Sequence, residues 1–282
     1  MTRSAETTIP IFQVDAFTDE LFKGNPAAVC LLSQQYEDRV LQSIAAEMNL
    51  SETAFLLPLE QKPLAELKAF SLRWFTPRVE VPLCGHATLA AARVLFSEIA
   101  IQAHEATFMT KSGKLVARRD KGQIVLDFPR ERPVPTQPPQ GLLGALGISE
   151  FEQTLYAERN KMLLVHLSRQ SDLVGLKPDF ELVKSVSADG TIMGIIVTSQ
   201  GEAPCDFVSR FFAPWVGIDE DPVTGAAHTV LAPYWSGILG KREMVAHQAS
   251  SRGGKVGVRL TGDDRVDLIG SAVIVLKGEF YL

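Results

Sequence analysis

The sequence predicts an α+β protein of two similar halves. Three observations carry this prediction. A strand–turn–helix unit is written twice, the two helices it leads into are apolar most of the way round, and short β-rich segments fill much of the remaining chain. The repeated unit is 82–92 (PLCGHATLAAA) and 221–232 (DPVTGAAHTVLA). The lead-ins match as well, RWFTP at 73–77 and RFFAP at 210–214. From Pro77 to Gly85 is 8 residues and from Pro214 to Gly225 is 11, a three-residue difference in the turn. A repeat at this separation points to two halves of one design facing each other across a pseudo-twofold axis. A helix without a polar face is buried on more than one side, as it would be inside a sheet that wraps around it.

Taken in order, 9–15 (IPIFQVD) alternates and is β-rich, so it reads as the first strand. FKGNP at 22–26 is turn chemistry, and 27–32 (AAVCLL) is a buried strand with an inert core thiol at Cys30. The segment 37–48 places Val40, Ile44 and Ala45 on one helical face, with acids at its start and Asn49 as a cap. A strand follows at 53–57, with Glu52 at the junction. Alternation over 66–75 gives the strand before the first turn, and 86–99 is the first central helix. Strands are read at 107–118 and 123–128, with a hairpin turn at Asp120-Lys121-Gly122. The Pro-rich stretch 130–140 is the linker candidate and divides the chain into domains at 1–129 and 130–282. In the second half, 141–146 and 180–186 read as short helices, the latter ended by an Asp189-Gly190 turn. Strands are read at 162–167, 192–198 and 206–212. The second central helix is 226–239, with Pro233 a point for a kink or restart. Strands at 245–250, 256–260, 266–269, 272–276 and 279–282 close the sheet, and 272–282 is a candidate to return to the first domain.

Composition narrows the function. The 282 residues are 46% hydrophobic and 22% charged, as in folded soluble proteins. A net charge of −5, with no basic stripe, argues against nucleic acid or a membrane surface as partner. No run approaches a membrane span, and the first residues lack the apolar core of a signal peptide, so a cytoplasmic protein is expected. Three distant Cys without CxxC, and no HExxH or close His pair, argue against disulfides and against a metal site.

The chemistry gathers at the two turns. The first N–H groups of a helix have no intrahelical partner, and the helix dipole makes that end positive. Two such ends, opened by Gly85 and Gly225, would hold a carboxylate or other small anion. Glu52, His86, Asp221 and His228 are the polar groups that could meet in one cleft as acid/base groups, with Cys84 and Glu220 near them in sequence. A carboxyl group and a His beside helix starts are the equipment for moving a proton next to a bound anion. Plainer readings stand beside each. Glu52 as a surface acid, His86 and Asp221 as caps and His228 as a core residue all fit the pattern. A Cys84–His86 nucleophilic pair is disfavoured, because neighbours at i and i+2 point to different sides of a turn or helix.

At these residues the chain resembles the PhzF-like family of phenazine-biosynthesis isomerases, which share the diaminopimelate epimerase fold. The matching pieces are FQVDAFTDELFKGNPAAV at 12–29, LSETAF at 50–55, RWFTPRVEVPLCGHATLAAA at 73–92 and SRFFAPWVGIDEDPVTGAAH at 209–228. The resemblance implies two domains, each a barrel-like mixed sheet around a central helix, with the active site between them. It also implies a cofactor-free isomerase that forms a homodimer and acts on a small carboxylate. By this resemblance the acid/base glutamate falls on Glu52, the site histidine on His86 and the site aspartate on Asp221. Substrate binding falls on Gly225, with Gly85 as its partner. Many family members have Ser after the second glycine. Here it is Ala226, which keeps a backbone N–H donor and loses the hydroxyl.

The expectation is therefore an isomerase that shifts a proton between carbons, the family's named reaction being isomerisation of dihydro-3-hydroxyanthranilate. An amino-acid racemase on the same scaffold is one alternative. The related epimerases use a Cys in each turn, and here the second turn has none. A non-catalytic binding protein for small anions is the other.

Overall fold

The computed structural model describes residues 8–186 and 190–282. Two compact units divide the chain. One takes it up to Asp127 and again over Ile269–Leu282; the other spans Phe128–Leu268.

The first unit opens with β1 (Thr8–Ala16), β2 (Asn25–Leu31), helix α1 (Asp38–Met48), β3 (Glu52–Pro58) and β4 (Ala69–Phe75). A two-residue strand β5 (Glu80–Val81) folds back on β4 before the first central helix, α2 (Gly85–Ser97). Strands β6 (Glu105–Thr110), β7 (Gly113–Asp120) and β8 (Gln123–Pro129) follow. Residues 64–66 form a 3-10 turn, so the strand expected from 66 begins only at Ala69. The strand expected over 107–118 is two strands, broken by a tight turn at Lys111-Ser112 with Gly113 at φ 98°. Asn49 takes the left-handed conformation that ends α1, and its N–H donates to the Ala45 carbonyl.

The second unit holds β9 (Val134–Pro135), α3 (Leu142–Ala145), β10 (Gln153–Ala157), β11 (Met162–His166), α4 (Gln170–Val174) and α5 (Phe180–Ser185). It continues with β12 (Gly194–Gln200), β13 (Phe207–Phe212), the second central helix α6 (Gly225–Leu239), β14 (Glu243–Gln248), β15 (Gly254–Thr261) and β16 (Arg265–Gly270). The Pro-rich stretch is not a bare linker. Its β9 pairs with β10, and the Glu131 N–H donates to the Thr229 carbonyl. Helix α6 runs unbroken through Pro233. The expected turn at Asp189 lies outside the described residues. The last strand, β17 (Ala272–Tyr281), is one strand where two were read, and it pairs antiparallel with β1 from Thr8↔Tyr281 to Ala16↔Ala272.

Both units follow one plan. In the first, neighbours along β1-β2-β3-β4-β6-β7 are antiparallel, parallel, antiparallel, parallel and antiparallel. Along β10-β11-β12-β13-β14-β15 the same five relations recur in the same order. Each central helix lies between the fourth and fifth of these strands in the chain. Helix α2 packs against β1, β2, β3, β7 and β17, and its run Ala90-Ala91-Ala92 is fully buried. Small side chains let strands approach the helix from several sides. Helix α6 stacks Trp235 on Phe207 of β13, with ring centroids 5.7 Å apart, and Trp235 Nε1 donates to Thr198 of β12. The outer faces are covered by α1 in one unit, whose Leu41 and Ile44 share a cluster with Ile9, Ile11 and Phe55, and by α3 to α5 in the other. Burial of apolar area on both sides of each sheet is the main term holding these layers together.

Candidate active site

In the first unit three chain segments converge. Gly24, at φ +65°, turns the chain into β2, where a side chain would meet the Ala16 carbonyl oxygen at 2.2 Å. That turn delivers Asn25, fully buried, as the first residue of β2. The cap after α1 delivers Glu52 as the first residue of β3, in parallel register with Ala27. The β5 segment delivers Cys84 in extended conformation and then His86 in the first turn of α2.

Glu52 Oε2 lies 3.2 Å from His86 Nε2. Asn25 Nδ2 lies 3.2 Å from the other ring nitrogen, Nδ1, and the Cys84 sulfur 3.5 Å from it. With the Asn25 amide nitrogen donating, Nδ1 is an acceptor, so the ring proton sits on Nε2, which lies close to Glu52 Oε2 without forming an aligned hydrogen bond to it. Burial pushes the His86 pKa down to about 3, so the imidazole is neutral at neutral pH. Cys84 and His86 do approach each other, contrary to the expectation from their spacing. The extended Cys84 (φ −146°, ψ 120°) turns its thiol back over the first helical turn.

Glu52, Cys84 and His86 each place one donor atom within 4.8 Å of the others, and these are donor types of a three-ligand zinc site. Yet the thiol faces Nδ1 and the carboxylate faces Nε2, so the ring would have to turn before one ion could meet all three.

In the second unit the corresponding turn is built by other means. The Asp221 N–H donates to the Phe211 carbonyl at 3.0 Å, tying the turn to β13. Asp221 Oδ2 accepts from the Thr224 hydroxyl at 2.5 Å. Gln248, fully buried at the end of β14, accepts from the Thr224 N–H at 2.9 Å and donates to the Asp221 carbonyl at 2.8 Å. The aspartate is thus held within its turn, with its carboxylate on a hydroxyl. Gly225 and Ala226 open α6, whose N-cap Thr224 makes no side-chain cap hydrogen bond; the same holds for Cys84 at α2. His228 is a core residue. Its Nδ1 donates to the Thr224 carbonyl at 2.8 Å, and burial pushes its pKa down to about 4.

Gly85 and His86 therefore share one turn, with Glu52 of β3 against His86, and Asp221, Gly225 and Ala226 share the other. Sequence reasoning passed over Asn25 and Gln248. Asn25 sat in a turn signal that explained it already. Gln248 is a polar residue in an ordinary strand, and its partners are more than twenty residues away in the chain.

Comparison with known proteins finds relatives along nearly the whole chain. The family described as phenazine biosynthesis-like protein matches residues 14–278. Phenazine biosynthesis-like domain-containing protein 1 of Mus musculus is 49% identical over 96% of this chain and 98% of its own length. A protein of Halalkalibacterium halodurans named an uncharacterized isomerase is 47% identical, covering 98% of this chain and 99% of that one. Among solved structures, a PhzF-family protein of Enterococcus faecalis superimposes with a TM-score of 0.89 at 38% identity, over 98% of this chain and all of that one. No helix among the described residues is long and apolar enough to cross a membrane. The fold is the mixed-sheet α+β architecture of that structure, and isomerase names among the relatives support an isomerase-type role. With the repeated turns, the neutral His86 beside Glu52 and a match over nearly the whole length, the chain belongs to the phenazine biosynthesis-like protein family.

Proposed function

We propose that the protein is a cofactor-independent isomerase that moves a proton between carbons of a small carboxylate, with Glu52 as the acid/base. The observation that carries the reading is the Glu52–His86 contact of 3.2 Å beside the start of α2. The Glu52 carboxylate takes a proton from an activated C–H, and the C–H electron pair enters the conjugated system. The resulting carboxylic acid returns a proton at another carbon of that system, so the enzyme ends as it began. A neutral His86 with its proton on Nε2 can donate a hydrogen bond to Glu52 or to substrate without competing for the proton. Asp221 positions the substrate. The reading further takes the substrate carboxylate to be bound by the helix starts at Gly85 and at Gly225-Ala226, between the two halves. It also takes the working form to be a cytoplasmic homodimer.

The test is proton NMR in D2O with a panel of small conjugated carboxylates and amino acids, dihydro-3-hydroxyanthranilate included. Wild type should introduce deuterium at carbon or shift a double bond in one of them. Absence of exchange throughout the panel, despite saturable binding, would favour a binding protein.

An amino-acid racemase is the second reading, and the 3.5 Å approach of Cys84 to His86 is the observation in its favour. It requires inversion at Cα and dependence on the thiol.

A further inference from the structure

Each half carries an arginine–glutamate pair just ahead of its turn. In the first, Arg73 of β4 donates from Nε and Nη2 to both oxygens of Glu80, each at 2.8 Å. In the second, Arg210 of β13 donates from the same two nitrogens to both oxygens of Glu220, at 2.7 and 2.9 Å. Each guanidinium also lies over the aromatic ring two residues on, Arg73 5.0 Å from Phe75 and Arg210 4.9 Å from Phe212. Planar, two-bonded and stacked, these are the least adaptable ion pairs that side chains make.

The pairs also fix the alignment of the repeat. Glu80 precedes Gly85 by five positions, and Glu220 precedes Gly225 by five. Aligned on these acids, Pro82 matches Pro222, Cys84 matches Thr224 and His86 matches Ala226. The three-residue difference between the halves then falls between arginine and glutamate, seven positions in one and ten in the other. The extra residues are taken up where Pro214–Val216 forms a 3-10 turn. A loop of different length has been accommodated while the clamp and its five-position spacing to the glycine are kept.

We propose that Arg73–Glu80 and Arg210–Glu220 are a duplicated positioning clamp that sets the register of each turn. Arg210–Glu220 is the one that places Asp221, the residue directly after the clamped acid. Arg210 is buried, and its remaining Nη1 donates to the Leu173 and Leu176 carbonyls at 3.3 and 2.8 Å, so the clamp is anchored to the α4 segment. Arg73 is more open and shares its partners with Asp38 and Lys111, so its hold on the Cys84–His86 turn is looser. Neither arginine nor glutamate touches substrate in this assignment. They act through the turns, and the consequence for turnover rests on the isomerase reading above.

Hydrogen exchange on Glu220→Gln and Glu80→Gln tests the clamp without a substrate. The Glu220 variant keeps the arginine and its backbone contacts but loses the charge and one acceptor. The amides of Asp221 and Thr224 should exchange about tenfold faster or more, with those of the β14–β15 ladder unchanged. Glu80→Gln should do the same, less strongly, at the amide of Thr88, which bonds the Cys84 carbonyl. Unchanged turn amides, or an equal rise in the ladder, would overturn the proposal, since the pairs would then be inert or only general supports. On a panel substrate that wild type converts, Glu220→Gln should lose about 10- to 100-fold in kcat, as expected for a misplaced catalytic group; undiminished kcat would also overturn it. A wild type that converts nothing sinks the isomerase reading and leaves the exchange result to decide the clamp.

Discussion

The two turns share a scaffold and differ in what they carry. Strand order, central helix, clamp and glycine correspond, so positions can be compared pair by pair. The first pair of the β2–β3 ladder is Ala27↔Glu52, and the first pair of the β11–β12 ladder is Met162↔Gly194. The counterpart of Glu52 is therefore Gly194, and the counterpart of His86 is Ala226. No carboxylate could stand at Gly194 as packed, because even a Cβ there would come within 2.3 Å of the Phe211 ring. Duplication of the fold has not duplicated the Glu52–His86 contact. The second turn instead holds the Asp221 carboxylate on the Thr224 hydroxyl and the Asp221 carbonyl on Gln248. A single carboxylate suits a proton shift along one molecule better than an inversion that needs a base on each side.

The largest effect that would sharpen this comparison is on acid stability. Both turns bury a neutral histidine, His86 with a pKa of about 3 and His228 of about 4. Unfolded, each would titrate near 6.5. Between that value and the folded one the unfolded chain binds the proton and the folded chain does not, so stability is present above about pH 6.5 and falls as pH falls. For His228 the window from 6.5 to about 4 is worth at most about 3 kcal/mol. Between pH 7 and pH 5, urea unfolding should lose about 2 kcal/mol less stability in His228→Asn than in wild type. Equal pH dependence in the two would mean that His228 is not held neutral.

Next comes the packing of the empty position. Gly194→Ala should destabilise the protein by about 1–3 kcal/mol through overpacking against Phe211, read as a lowered urea midpoint at unchanged m. A neutral result would mean that the second half can accept a side chain opposite Phe211, and the asymmetry would lose its steric basis. The smallest effect expected is that of Cys84→Ala. Turnover of any panel substrate should stay within about threefold of wild type, since the thiol is not the base in this account. Loss of activity would move the protein to the racemase reading.

Local patterns were legible in the sequence where local physics decides them. The Asn49 cap, the two central helices and the repeat itself followed from periodicity, turn residues and composition. Glu52 could be picked out as an acid at a helix-to-strand junction, and His86 and Asp221 as a His and an acid at Gly turns, but their roles came from the family resemblance. The break at Lys111-Ser112 was missed because β-forming residues run on both sides of it, and β10 because its strand signal is short. The three-residue offset was assigned to the turn; the glutamates show that it lies before them, and only the tertiary pairing with Arg73 and Arg210 reveals this. Asn25 and Gln248 were illegible for the same reason, each acting on residues far along the chain.

The central claim is that proton transfer depends on one carboxylate in one half. Deuterium incorporation from D2O, followed by NMR for wild type and Glu52→Gln on the same substrate, tests it most directly. The amide keeps the shape and the close approach to His86 but cannot take a proton. The account predicts incorporation at carbon with wild type, a fall of about three orders of magnitude in Glu52→Gln, and similar substrate affinity in both. Incorporation by Glu52→Gln at a rate near that of wild type would contradict it.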